Sequence, residues 1–255
     1  MLSDLIRRLY HRNPFLEAVP WLMLASALRF LAYGAGGLAA LIGIAIAMLC
    51  VFLAFLLAAR RMIEWTGGQV QFGQWSMHDQ MRVGRMILYR IGALLAGAAA
   101  IAWLLGLKAF APNLLMGFDG IAFDQFTTAG MVWSSFLAAL VYLMLLDAEA
   151  NGKPSLPRAF NALVRHWRWL LPAIVLIALM QIVLSFVQGQ ARYLLRLVWH
   201  ETGPVAPMTF VYFGFVFGFA TIRLWLTLAF LTYALREAYR RIPGNAVAKI
   251  SSPGS

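Results

Sequence analysis

The stretch 207-PMTFVYFGFVFGFATIRLWLTLAFLTYALR-236 decides how the rest of the chain is read. A bilayer core about 30 Å thick takes roughly 20 apolar residues in a helix, so this stretch spans a membrane. Arg223 then falls at or just cytoplasmic of the midplane. A guanidinium there costs at least ~2.5–3.5 kcal/mol unless it finds a partner or water. The remainder of the chain has to supply that contact.

Working outward, the composition agrees with a membrane class. Of 255 residues, 62% are hydrophobic and only 12% charged, against about 25% charged in soluble domains. The apolar runs are continuous and of spanning length. They lack the ten-residue alternation of a β-barrel, so the expected fold is all-α and polytopic. Six spans use nearly the whole length and leave no separate soluble domain. The net charge of +11 is in this setting a topology signal, and nucleic acid is not an expected partner. Cys50, the lone cysteine, supports neither a disulfide framework nor a thiolate metal cluster.

Residues 1–13 place Leu2, Leu5, Ile6 and Leu9 on one helical face and Asp4, Arg7, Arg8, His11 and Arg12 around the other. This predicts an interfacial amphipathic helix. Glu17 and Pro20 interrupt what would be a signal-peptide core, so no cleavage is expected. The run from Pro14 to Ala59 is too long for one crossing, and Tyr33-Gly34-Ala35-Gly36-Gly37 supplies the break. Spans are therefore expected at 14–33 and 38–59, with Arg29 snorkelling from the outer end of the first.

Arg60 to Arg85 reads as a polar inner loop. A third span follows at 86–107, with Arg90 one turn inside and a small-residue face of Ala93, Gly97 and Ala100. Lys108 to Thr127 is the outer connection, carrying Asp119 and Asp124 and expected to lie along or dip into the interface. The fourth span, 128–146, ends at Asp147 and Glu149. A basic loop with a surface-lying amphipathic stretch from Pro157 leads into the fifth span, 169–188. Gln188, Arg192, Arg196 and His200 recur every fourth residue and predict that this helix continues beyond the bilayer. The sixth span, 207–235, contains Gly214 and Gly218 as a helix-packing pair, and a disordered tail is expected over 243–255. Lys and Arg concentrate in the segments that six crossings put on one side, so both termini are expected in the cytoplasm.

This order of an interfacial helix, two hairpins, an amphipathic 159-AFNALVRHW-167 and a last span ending in Leu235-Arg236 resembles the six-helix bacterial inner-membrane proteins grouped as YciC-like. The resemblance implies a bacterial inner-membrane location and this architecture. It transfers no active-site residue, because that family is largely of unknown function. The chain departs from it in the short outer hairpin at Gly34–Gly37 and in the arginine within the last span.

Arg223 has three readings: it snorkels or pairs with Asp147, it faces an acid on a partner subunit, or it forms an anion or lipid-headgroup site with Arg90 as a second cation. On the outer face Asp119, Asp124, Arg192, Arg196 and His200 form a polar cluster in which the arginines are expected to pair with the acids. With Glu201 the cluster matches no metal signature. No cofactor is expected, since no histidine falls within a span where haem would need it. The carboxylates all read as lying away from mid-membrane, which disfavours proton coupling. The leading expectation is a non-enzymatic accessory or scaffolding subunit acting through helix and lipid contacts with other membrane subunits. Alternatives are a small permease-like subunit for an amphipathic or anionic solute, and an enzyme of lipid-linked phosphates using Arg165 and Arg168.

Overall fold

The chain first folds back at Gly36 and Gly37, whose φ angles of 65° and 56° fall in the left-handed region that favours glycine. They join α1 (Val19–Ala35) to α2 (Gly37–Trp65) in the computed structural model, which describes residues 15–65, 77–125, 127–199 and 205–240. Close approach of the two helices follows from Gly43, where a Cβ would sit 3.2 Å from Ala32 Cβ and 3.5 Å from the Leu28 carbonyl oxygen. The N-terminal helix expected over 1–13, His200 and the tail 243–255 lie outside the described residues.

After the hairpin come α3 (Met77–Leu104), the short α4 (Ala111–Leu115), a 3-10 turn (Asp119–Ile121), α5 (Thr128–Asn151), α6 (Leu156–Arg165), α7 (Trp167–Trp199) and α8 (Val205–Arg240). No strand occurs among the described residues. Five stretches are long and apolar enough to cross a membrane: Gly37–Ile63, Met81–Leu104, Thr128–Asn151, Trp167–Leu195 and Thr209–Arg236. Val19–Ala32 is a shorter apolar helix. The protein is thus a polytopic all-α membrane protein.

Element ends differ from the sequence expectations for local reasons. The first helix starts at Val19, because Phe15–Ala18 form a turn in which the Ala18 and Val19 amides donate to the Phe15 carbonyl at 2.9 and 3.1 Å. Pro20 then opens the helix, where its missing N–H is not needed. Conversely α3 begins nine residues early, inside the expected polar loop. Asp79 complements the helix dipole in its first turn, and Arg82 pairs with it at 3.1 Å across one turn. α7 runs on to Trp199 as the polar stripe predicts.

α5 is the axis of the bundle. In its membrane window 72% of residues are buried inside the protein, against 22–33% in the other four, and Leu137 through Leu145 form an unbroken buried run. Thr127 caps its start by accepting from the Gly130 amide at 3.1 Å, and Gly152 at φ 69° ends it. α7, α6, α8 and the 3-10 turn all pack on α5. Tyr142 and Thr232 hydroxyls share a hydrogen bond of 2.9 Å that ties it to α8.

The connector between α3 and α5 turns inward. Gly117 through Phe123 are buried, and Phe118 stands edge-on to Phe52 and Phe55 of α2, with centroids 5.4 and 5.8 Å away. Trp133 Nε1 donates to the Leu114 carbonyl at 3.0 Å and Gln125 Nε2 to the Met116 carbonyl at 3.2 Å, so the backbone of this inserted segment is held by side chains. A Cβ at Gly117 would overlap Trp133 and Leu137, and one at Gly120 would overlap Gln125 and Ser134. Only glycine lets the connector come this close to α5.

Candidate functional site: two arginines met by the connector

The inward turn of the connector brings its two carboxylates to arginines on different helices. Arg223 of α8 is fully buried. Its Nη2 donates to Asp124 Oδ1 at 3.2 Å, Ser185 Oγ at 3.0 Å and Gln188 Oε1 at 3.1 Å. Ser185 in turn donates to Asp124 Oδ1, so hydroxyl and guanidinium converge on one carboxylate oxygen. Asp124 keeps 27% of its side chain exposed, which leaves the network open at the connector side. The second pair joins Arg29 of α1 to Asp119 in the 3-10 turn, both buried. Arg29 Cζ also stands 4.9 Å from the Phe123 ring centroid, a cation–π contact that shields the pair further.

Burial without full compensation shows in the Asp119 carboxyl, which is pushed up to about 6 by loss of solvent, with Arg29 opposing the rise. Its Oδ1 has no hydrogen-bond partner among the described residues. Around Arg223 the incomplete satisfaction is wider. Nε and Nη1 of the guanidinium, both amide atoms of Gln181 and Thr227 Oγ1 are buried without a partner among the described residues. Gln181 lies one turn from Ser185 on α7 and Thr227 one turn from Arg223 on α8. In an antiparallel pair the two steps lead the same way, so the polar seam continues away from the connector into the bundle. Buried groups of this kind ordinarily find water or a ligand.

Several sequence expectations are corrected by this geometry. Arg223 does not pair with Asp147, which lies roughly 30 Å along α5 from its connector end by helix rise. Asp147 instead receives Arg158 at 2.9 Å and Asn151 at 2.7 Å. Arg223 does not face a partner subunit either, since it is enclosed by its own chain. Arg90 is no second cation beside it: α3 packs on α2, α4 and α5, not closely on α8. Arg29 does not snorkel, because Asp119 comes inward to meet it. The outer polar cluster is divided, with Asp119 and Asp124 going to separate arginines. Arg192 makes no ion pair with either, its Nε being buried without a partner among the described residues. The side chain of Arg196 lies outside the described ones.

Gly214 and Gly218 also differ from expectation. A Cβ at either would meet nothing within 4 Å, so this pair makes no close helix contact among the described residues, whereas Gly43 does. Among the described residues no three His, Cys, Asp or Glu side chains gather as a metal site would need.

Sequence reasoning missed Ser185 and Gln181. Their signal was present, since Gln181, Ser185, Gln188 and Arg192 follow one face of α7 at helical spacing. Compared with protein-family models, curated proteins and solved structures, the chain gives no match.

Proposed function

We propose that this chain is a small permease-like membrane protein that takes an anionic or amphipathic solute at Arg223. The observation that carries the reading is the fully buried guanidinium whose Nε and Nη1, like the side-chain polar atoms of Gln181 and Thr227 one turn along the seam, lack partners among the described residues. Intramembrane cations facing a bundle interior mark binding sites and pathways more often than they stabilise folds. The connector, fixed to Arg223 by Asp124 and to Arg29 of α1 by Asp119, acts as its cover. Arg60, Arg61, Arg82, Arg85, Lys153, Arg158, Arg165, Arg168 and Arg236 gather at the opposite end, which the positive-inside rule makes cytoplasmic. The YciC-like layout adds a bacterial inner membrane to this reading.

The test is thiol accessibility in a Cys50→Ala background. Thr227→Cys in membrane vesicles is expected to react with a small anionic methanethiosulfonate faster than with a cationic one, because Arg223 lies one turn away. Absence of any reaction at Thr227→Cys, while Lys153→Cys reacts, contradicts the reading.

A second reading, an accessory subunit working through helix contacts, is favoured by α3. Its Gly92, Ala93, Ala96, Gly97 and Ala100 are exposed along one face, and a Cβ at Gly92 or Gly97 would meet nothing. Purification in gentle detergent followed by mass spectrometry separates the readings, since this one requires a stoichiometric membrane-protein partner.

A further inference from the structure

α6 divides its surface among three surroundings. At about 100° per residue, Leu156, Ala159 and Leu163 share the side that packs on the bundle, where Ala159 is 1% exposed. Phe160 and Val164 share the next side, and Trp167, just past the break at His166, continues it. These three are 51%, 53% and 54% exposed. Asn161 and Arg165 take the third side, and Arg168 stands exposed one turn further on. One flank meets protein, and the next leaves large apolar side chains exposed. The surroundings of the third have to suit guanidinium groups directly beside them.

Water alone would leave Phe160, Val164 and Trp167 wet, and acyl chains alone would strand the arginines. A membrane–water boundary suits both, and a Trp at that level matches the aromatic belt. Arg158 is already held, by Asp147 and by the Lys153 carbonyl at 2.8 Å. Arg165 and Arg168 make no ion pair among the described residues. His166 between them is held below its ordinary value by burial and by Arg165, so it adds no charge at neutral pH.

We propose that α6 and the start of α7 form a binding site for the headgroup of an anionic phospholipid, with Arg165 and Arg168 on the phosphate and Phe160, Val164 and Trp167 against its acyl chains. Charge complementarity selects this occupant: the two cations stand exposed beside exposed apolar side chains at the start of a helix long enough to cross a membrane. The site stands apart from Arg223 and does not depend on the solute reading.

The test uses the full chain in mixed micelles with equal amounts of phosphatidylglycerol and phosphatidylcholine of the same acyl chains, read by native mass spectrometry. Wild type is expected to retain phosphatidylglycerol preferentially. Arg165→Gln or Arg168→Gln should each reduce that preference about fivefold, and the double variant more. The Arg165→Lys/Arg168→Lys variant should keep most of it, and 0.5 M salt should weaken it. Equal retention of both lipids by wild type overturns the proposal. So does an unchanged preference in a double Gln variant that elutes as one symmetric peak, or a protein bound at this face in place of lipid.

Discussion

Arg223 Nη2 lies 3.2 Å from Asp124 Oδ1, although the two residues are 99 positions apart and belong to the last helix and to the connector. Ser185 and Gln188 of α7 complete the contact. Three parts of the chain therefore meet at one guanidinium. A second meeting, of Arg29 with Asp119, fixes the same connector to α1. With two anchors on different helices, the connector behaves as part of the bundle.

Its glycines should be the least tolerant of substitution. Gly117→Ala and Gly120→Ala place a methyl group on Trp133 and Leu137, or on Gln125 and Ser134, and should each lose about 1–3 kcal/mol. Gly97→Ala and Gly214→Ala meet nothing within 4 Å and should be neutral or slightly stabilising through helix propensity. Thermal melting followed by size-exclusion chromatography ranks the four.

At the hairpin, Gly43→Leu should separate α1 from α2, because even a Cβ reaches within 3.2 Å of Ala32. A loss of about 2 kcal/mol or more is expected, with Gly43→Ala milder. The same melting assay reads both.

Asp119 gives the fold a pH dependence. Its carboxyl titrates near 6 in the folded protein against an ordinary 3.8, so folding favours the protonated form. The stabilisation is complete below 3.8 and is lost as pH rises through 6. The melting temperature of wild type relative to Asp119→Asn should therefore rise between pH 7 and pH 4.5, by an amount worth about 2 kcal/mol. A difference that stays flat with pH, or falls on acidification, contradicts this assignment.

Thr127→Ala removes the cap that holds the Gly130 amide and should cost about 1 kcal/mol. Thr127→Ser should restore it. Hydrogen exchange at the first turn of α5 is the sensitive readout, because fraying begins there.

Much of the architecture was legible in the sequence, since a bilayer imposes length and apolarity on each helix and the break at Gly36–Gly37 is written in residue type. The identity of the central helix was not. In lipid, a helix facing protein and one facing acyl chains are equally apolar, so α5 could not be told from α7 by pattern. The partners of Arg223 and Arg29 were hidden for a related reason. Asp119 and Asp124 stand in a segment rich in glycine and phenylalanine that reads as an outer loop, and only the close approach at Gly117 and Gly120 brings them inside. Ser185 and Gln181 were masked by the apolar run around them, although their spacing with Gln188 was visible.

The central claim, that Arg223 is held by Asp124 inside the bundle, is tested most directly by a double-mutant cycle of Asp124→Asn, Arg223→Gln and the pair together, read as unfolding free energy in detergent. The account predicts that Asp124→Asn alone costs about 2–4 kcal/mol by leaving a buried cation poorly matched. The double variant should cost less than the sum of the singles by at least about 1.5 kcal/mol. Effects that add to within about 0.5 kcal/mol would mean that the two residues do not interact, and would contradict it.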